Sequence, residues 1–375
     1  MLTIRCNGID YRNLISATVV TSIKTVCGAF TITTTADGDD ALPIKKGDRI
    51  NVLADLEPIC NGFVDAVEVS YSADGHTITL SGRDSTQDLV DSTVGKRKEF
   101  KGGIGLVSLI ESVLADLGDN DIKVINRAGF IPAFSSSEVS SAKVGQGAFE
   151  FIESYARKRQ VLVTTDGSGN VILLRGGSTD SGVRLVNLKG DRQGTNNILS
   201  SNFKSDDSQR FSRYLVQTQG NPLFGLSDSK SKNLTQSSAS ATDDQVRNSR
   251  VLEFESRESM SAADIANRVK WEANLRRAQS LKYSVVVQGH TLNGKTWRFN
   301  QLVDVVDEFC DLDSTLLISD VTYSYSLDSG STCQLDMTYP DAYTLEENLA
   351  SLSKNTKKIG EKFGLSTSIS GLNIP

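Results

Sequence analysis

FVDAVEVSYSADGHTITL, residues 63–80, is a β-hairpin written in alternating side chains. Val67, Val69 and Tyr71 alternate with Glu68, Ser70 and Ser72, Asp74-Gly75 supplies a turn, and Ile78 and Leu80 alternate with Thr77 and Thr79. A period of two along both arms predicts a strand pair with one buried and one solvated face. The plan returns in LISDVTYSYSLDSGSTCQL, residues 317–335. There Val321, Tyr323 and Tyr325 alternate with Thr322, Ser324 and Ser326, Asp328-Ser329-Gly330 makes a turn one residue longer, and Cys333 and Leu335 return against Thr332 and Gln334. Each hairpin follows a short alternating strand, Ile50 and Val52 after Gly47-Asp48 in the first case, Val303 and Val305 after Asn300-Gln301 in the second. A strand, an irregular link and a long hairpin recurring in that order predict two copies of one β-module.

The remaining composition sets bounds. A chain of 375 residues has room for about two to four domains, because single cores stop growing at about 250–300 residues. The formal charge of −6 gives no global attraction to nucleic acid or to an anionic membrane, so any DNA contact would be local or indirect. MLTIRCNGIDYRNL at the start lacks a basic segment followed by an apolar run, and no stretch approaches the roughly 18 apolar residues of a membrane span. The expectation is a protein made in the cytoplasm and not inserted into a membrane. Cys6, Cys27, Cys60, Cys310 and Cys333 are odd in number and scattered, and read as small buried hydrophobes rather than a disulfide frame or a zinc site.

Taken in order, residues 1–92 read as a first small β-barrel. Its strands are expected at Leu2–Arg5, Ala17–Val26, Phe30–Thr35 and Ile50–Leu53, with the hairpin. Residues 93–196 change character into an α+β insertion. Leu106, Leu109, Ile110, Val113, Leu114 and Leu117 have helical spacing closed by Gly118, and a second helix from Gly147 lines one face with Phe149, Ile152, Tyr155 and Ala156. Val161–Thr165, the turn Asp166-Gly167-Ser168-Gly169 and Val171–Leu174 then form a hairpin. Residues 197–343 are expected to hold the second barrel, although the alternating stretch 197–220 could equally complete the first. Within this region 221–249, rich in Ser, Asn, Asp and Lys, reads as a mobile loop. A helix over 261–279 follows, with Ser261 and Asp264 as a capping box and Ile265, Val269 and Ala273 on one face. Residues 344–375 form a C-terminal helix and tail. Leu345, Leu349, Leu352, Thr356, Ile359 and Phe363 have the seam spacing of a short coiled coil, or of an amphipathic helix packed on its own domain, with Lys354, Lys357, Lys358 and Lys362 as its solvated face.

Reactive constellations are scarce. His76 sits in a hairpin turn and His290 at a strand end, neither in a G-x-S-x-G or H-E-x-x-H setting. Gly102-Gly103-Ile104-Gly105 precedes a helix but lacks the Lys-Ser/Thr ending of a phosphate loop, and reads as a flexible helix entrance. Asp166, Ser168 and Asn170 match the first positions of a calcium loop, which then fails at Val171 and Gly177. Asp304, Asp307, Glu308, Asp311 and Asp313 could supply a carboxylate pair, which keeps a peptidoglycan hydrolase as an alternative, but acidic residues between strands usually keep sheet edges soluble. No catalytic, cofactor-binding or metal-binding residue is assigned. A ligand-binding β protein, the third reading, gains nothing from an aromatic content of 7%.

Three segments carry a resemblance. Residues 289–343, with Asn-Gly-Lys-Thr-Trp at 293–297 followed by Asn300 and the Val303-x-Val305 strand, resemble the C-terminal β-domain of the baseplate hub proteins of Mu-type contractile-tailed phages. GRDSTQDLVDST at 82–93 and VGQGAFEFIESYARKRQVLVTTDGSGNVILLR at 144–175 are similar to the corresponding family segments, in the family's order. The loop around 221–249 and the final tail carry no such match. The resemblance implies a mainly β chain with two similar barrels and an α+β insertion, assembled as a homotrimer whose six modules form a pseudo-hexameric ring. It further implies a structural hub without cofactor, in the virion tail baseplate or a related contractile injection device. Its partners would be the central spike, the tail tube and other baseplate proteins, with DNA only in transit through the channel. A trimer of duplicated modules would meet a six-fold tube on one face and a three-fold spike on the other.

Overall fold

A computed structural model of the chain describes residues 2–35, 44–72, 75–94, 100–118, 121–136, 138–177, 179–190, 194–218, 238–256, 262–340 and 343. They form two compact units, Met1–Ser208 with Gln279–Pro340, and a second unit containing Gln209–Ala278.

The first unit opens with β1 (Leu2–Cys6), β2 (Ile9–Tyr11), β3 (Leu14–Ser22), β4 (Ala29–Thr34), β5 (Arg49–Ala54), β6 (Glu57–Ser72) and β7 (Gly75–Asp84), then the short helix α1 (Gln87–Asp91). The expected hairpin is β6–β7, in register from Gly62 opposite Asp84 to Ser72 opposite Gly75. The expected strand over Ala17–Val26 lies earlier, ending at Ser22, where the chain enters a turn at Ile23-Lys24. Two glycines let β6 and β7 meet: a Cβ on Gly62 would lie 1.9 Å from the Arg83 carbonyl oxygen, and one on Gly82 would lie 2.1 Å from that of Phe63.

Next come α2 (Leu106–Leu117), β8 (Val124–Asn126), α3 (Ala148–Lys158), β9 (Leu162–Thr165) and β10 (Val171–Leu174). Leu106, Leu109, Ile110, Val113 and Leu114 give α2 its buried stripe, and Gly118 ends it with a left-handed cap whose N–H reaches the Ala115 and Leu114 carbonyls. In α3, Glu150 lies in the first turn and Arg157 and Lys158 in the last, matching the helix dipole. These elements bury their own core around Phe134, Phe151, Ile152 and Tyr155. The strand β8, not foreseen in the sequence, runs parallel to β10.

The sheet then resumes with β11 (Thr179–Asn187) and β12 (Ser200–Ser205). Residues 179–187 fall inside the expected α+β insertion, yet β11 pairs in parallel with a strand of the second module. The second unit contributes β13 (Arg213–Thr218), β14 (Ser238–Thr242), β15 (Val251–Ser256) and α4 (Ala262–Gln279). β13 is flanked by β14 and β15, with Tyr214, Val216, Ile265 and Val269 buried together. Part of the expected 221–249 loop is therefore strand: Ser238–Thr242 satisfies its backbone against β13, which its polar composition had concealed. Residues 219–237, the cap residue Ser261 and the C-terminal helix from residue 344 lie outside the described residues.

Back in the first unit are β16 (Leu281–Gln288), β17 (Thr291–Leu292), β18 (Lys295–Thr296), β19 (Gln301–Asp307), β20 (Leu312–Ser326) and β21 (Gly330–Thr338). The second hairpin is β20–β21, with β19 on the other edge of β20.

The expectation of two separate barrels is corrected here. Both modules belong to one 13-stranded sheet over one continuous core, and no closed barrel is seen among the described residues. The cause is length. β20 extends past β19, and its second half, Asp320–Ser326, takes β3 of the first module as its neighbour. The ambiguous stretch 197–220 is divided: β12 joins the second module through β16, and β13 goes to the other unit.

Candidate functional site

His290, the buried cysteines, Asp304 and Asp307 are committed to holding the fold. His290 is buried, its Nε2 lies 2.8 Å from the Ser324 carbonyl oxygen and its ring packs edge-on to Tyr323; burial pushes its pKa down, against the opposing pull of that hydrogen bond. His76 lies at the start of β7, edge-on to Tyr71. Burial pushes the Cys27 thiol up to about 11 and the Cys60 and Cys333 thiols upward as well, so these cysteines stay protonated at neutral pH.

The acidic stretch of β19 and the turn after it resolves into structural acceptors. Asp307 is fully buried and accepts from the Tyr283 hydroxyl at 2.6 Å, the Phe309 N–H at 2.9 Å, Ser201 and Asn187 side chains at 3.2 Å, and the Cys310 N–H at 3.3 Å. Burial alone would raise its pKa, but the donors, led by Tyr283, outweigh burial and hold it below the ordinary carboxylate value. A general acid needs the opposite shift. Asp304 accepts from Thr315 Oγ1 at 2.6 Å.

The two motif mimics also close on themselves. Asp166 Oδ1 accepts the Ser168 and Asn170 N–H groups at 2.7 and 3.1 Å, an Asx-type turn. The Gly103 N–H donates to the Phe134 carbonyl at 2.7 Å, and a Cβ on Gly102 would lie 2.2 Å from Ser136 Oγ, so this glycine run serves close chain packing. Among the described residues no cluster of three or more His, Cys, Asp or Glu could hold a metal, and no helix is long and apolar enough to cross a membrane. An open cleft of about 410 Å³ lies between the first module and the α+β insertion, lined by Arg49, Phe63, Asp88, Asp121 and Asn170 among others.

What remains is the sheet itself, and it is built twice. The first module orders its strands β3-β4-β7-β6-β5-β1, and the second β12-β16-β21-β20-β19-β11. Ile32 faces Leu80 in the first as Val285 faces Leu335 in the second. Ala17 faces Ile32 as Ser201 faces Val285. The copies differ at the end, where β1 is antiparallel to β5 but β11 is parallel to β19. They join where Asp320–Ser326 of β20 pairs with Ser16–Ser22 of β3, reinforced by the Ile23 N–H on the Ser319 carbonyl at 2.9 Å and Lys24 Nζ on Asp320 at 3.3 Å.

The corner from β7 to α1 holds a second network that sequence reading missed. Arg83 grips Asp91 with two nitrogens at 2.7 and 3.0 Å and Asp65 with Nε at 3.1 Å. Buried Asp84 accepts the Gly28 and Thr86 N–H groups, and Thr86 Oγ1 also contacts it; burial raises its pKa despite these bonds. Gly82-Arg83-Asp84 marks the change of character in the sequence, but its partners lie on other strands, beyond the reach of local pattern.

This fold is shared with solved phage tail proteins. A 43 kDa tail protein of prophage MuSo2 from Shewanella oneidensis superposes with a TM-score of 0.76 at 28% identity, over 91% of this chain and 98% of that one. The tail protein of Neisseria meningitidis MC58 gives 0.75 at 16% identity, over 92% and 99%. Residues 1–84 match the family model of the N-terminal domain of the Mu phage baseplate assembly protein GpP-like group, 86–175 the second domain of the gp44-like baseplate hub group, and 261–346 the fourth domain of GpP. The baseplate hub protein gp44 of Escherichia phage Mu is 25% identical over 332 residues, 86% of this chain and 83% of that protein. These domains place the chain among the Mu-type baseplate hub proteins. Like its homologues, it is a structural protein of a phage tail baseplate and not an enzyme.

Proposed function

We propose that the chain acts as a homotrimeric hub that adapts the six-fold tail tube to the three-fold central spike and lines the channel between them. The observation that carries this reading is the duplication: two modules of equal strand order, joined edge to edge in one sheet, so that three chains supply six similar modules. One face of such a ring offers six near-equivalent sites, and its other features repeat three times. The α+β insertion and the second unit occur once per chain and suit the three-fold contacts. DNA would cross the ring without sticking, because strong protein–DNA attraction needs Lys and Arg to neutralise phosphate, and the net charge here is −6.

The test is the mass of the purified full-length protein in solution, by light scattering behind a sizing column across a dilution series. Three chain masses are expected. A monomer whose mass does not change with concentration would overturn the trimer and the symmetry argument with it.

A further inference from the structure

The two modules also differ along one edge of their long hairpin strand. In the second, β21 lies along one edge of β20, while the other edge is shared, β19 taking Leu312–Leu317 and β3 taking Asp320–Ser326. In the first, β7 lies along one edge of β6 and β5 takes only Glu57–Phe63 of the other. Ala66–Tyr71 on that edge pairs with no strand among the described residues. The counterpart of β3 is β12, since each is the outer neighbour of a corresponding strand, β4 or β16. The second edge of β12 likewise pairs with no strand among the described residues.

We propose that β6 of one subunit pairs with β12 of the next, antiparallel, in the register that β20 and β3 show within the chain. This deepens the trimeric reading and rests on it. Transferring the register places Val67 opposite Ser205, Glu68 opposite Lys204, Val69 opposite Phe203, Ser70 opposite Asn202 and Tyr71 opposite Ser201. Three such joins between chains alternate with three joins within chains, and the ring of six modules closes with every edge of this kind filled.

The side chains along the two edges agree with this register. Val69 and Tyr71 are 63% and 79% exposed, whereas their counterparts Tyr323 and Tyr325 are fully buried and half-buried beside β3. Phe203 is 36% exposed, whereas its counterpart Val19 is fully buried. The pairing sets Val69 and Phe203 directly opposite each other on the face that is buried at the existing join, and covers both. On the other face it sets Glu68 against Lys204, opposite charges directly across the ladder. Lys204 reaches Asp206 along its own chain, at 3.5 Å. Every residue of β12 is exposed, although it is a strand of the main sheet. The partner that fits an edge with this register, this apolar pair and this charge pair is a second copy of the chain.

The experiment uses the full-length protein with Glu68→Cys and Lys204→Cys combined, under mild oxidation, read on a non-reducing gel, beside Glu68→Cys with Asn202→Cys and the unaltered chain with its five cysteines. The first pair is expected to give a covalent species of three chain masses, and the out-of-register pair and the unaltered chain are expected to stay unlinked. Glu68→Lys or Lys204→Glu alone is expected to weaken the trimer at least tenfold in light scattering, and Glu68→Lys with Lys204→Glu to restore it. The Glu68, Asn202 and Lys204 side chains are exposed, and circular dichroism of each variant is expected to match the parent. A trimer that persists without the cross-link, and ignores the charge variants, overturns this pairing and leaves the trimeric hub standing. Covalent species that stop at two chains overturn ring closure through this edge, and a monomer throughout overturns both.

Discussion

Asp65 and Ser319 fill the same structural position in the two modules. Each is the extra residue of a β-bulge, where the register of β6 on β7 slips between Val64 and Ala66 and that of β20 on β21 slips between Ile318 and Asp320. The slip marks where each long strand changes role. Before it the strand pairs with β5 or β19; after it β20 pairs with β3, while the same half of β6 stands open. A shared irregularity at matching places is stronger support for duplication than shared alternation, because alternation follows from any half-buried strand.

The close approach of β6 and β7 makes Gly62 intolerant. Gly62→Ala would set a methyl carbon 1.9 Å from the Arg83 carbonyl oxygen and 2.4 Å from Asp84 Cα, backbone atoms that cannot swing away. A loss of ~3 kcal/mol or more is expected in urea unfolding, at the severe end of overpacking. Gly105→Ala, with nothing within 4 Å of the added carbon, is expected to stay within ~0.5 kcal/mol. Equal effects at the two sites would contradict the packing described.

Asp84 and Asp307 are expected to tilt the pH dependence of stability in opposite directions. Burial raises the folded-state pKa of Asp84 above its unfolded value of about 3.9, so the folded form binds the proton first and stability gains as pH falls through that raised value. Asp307 is held below that value by its donors, so its contribution is complete above about pH 3.9 and is lost as pH falls through the lower folded value. Unfolding midpoints measured between pH 7 and 3 should lose the acid-side gain in Asp84→Asn and the acid-side loss in Asp307→Asn. Changes of slope with the same sign in both variants would refute the assignment.

Tyr283→Phe removes the shortest donor to Asp307 without changing the ring. A cost of ~1–3 kcal/mol is expected, since a buried carboxylate then loses one of its hydrogen-bond donors. Thermal unfolding of the variant measures it, and no change would mean that the other four donors suffice.

Arg159 holds the loop before α3 through one carboxylate. Its guanidinium reaches Glu138 at 2.7 and 2.9 Å, donates to the Pro132 and Ala133 carbonyls at 3.0 Å and lies over the Phe134 ring. The Arg159 hydrogen bonds, with those from Ser135, lower the Glu138 pKa to about 2. That contribution is present above the unfolded value of about 4.3 and fades as pH falls toward 2. Arg159→Ala is expected to cost ~1–3 kcal/mol, and Arg159→Lys to recover little of it, because an ammonium cannot serve the two carboxylate oxygens and two carbonyls in one plane. Protease nicking near residue 135 and a carboxylate titration of Glu138 by NMR check both statements. A Glu138 pKa unmoved by Arg159→Ala would overturn this reading of the loop.

Alternation of side chains was enough to place the two hairpins, the short strand before each, and their repetition, because a strand with one dry face must alternate whatever surrounds it. Helical spacing did the same for α2 and α3, with Gly118 closing the first of them. Which strand lies beside which was decided only in three dimensions. Nothing in Asp320–Ser326 announces β3, nothing in Thr179–Asn187 announces a parallel partner in β19, and Ser200–Ser205 could have joined either module. Neighbours in a sheet are bound through N–H and C=O groups that every residue carries alike, so side-chain period assigns faces but leaves edges unassigned. Two separate barrels were therefore the natural reading of the chain, and one shared sheet is what the length of β20 makes of them.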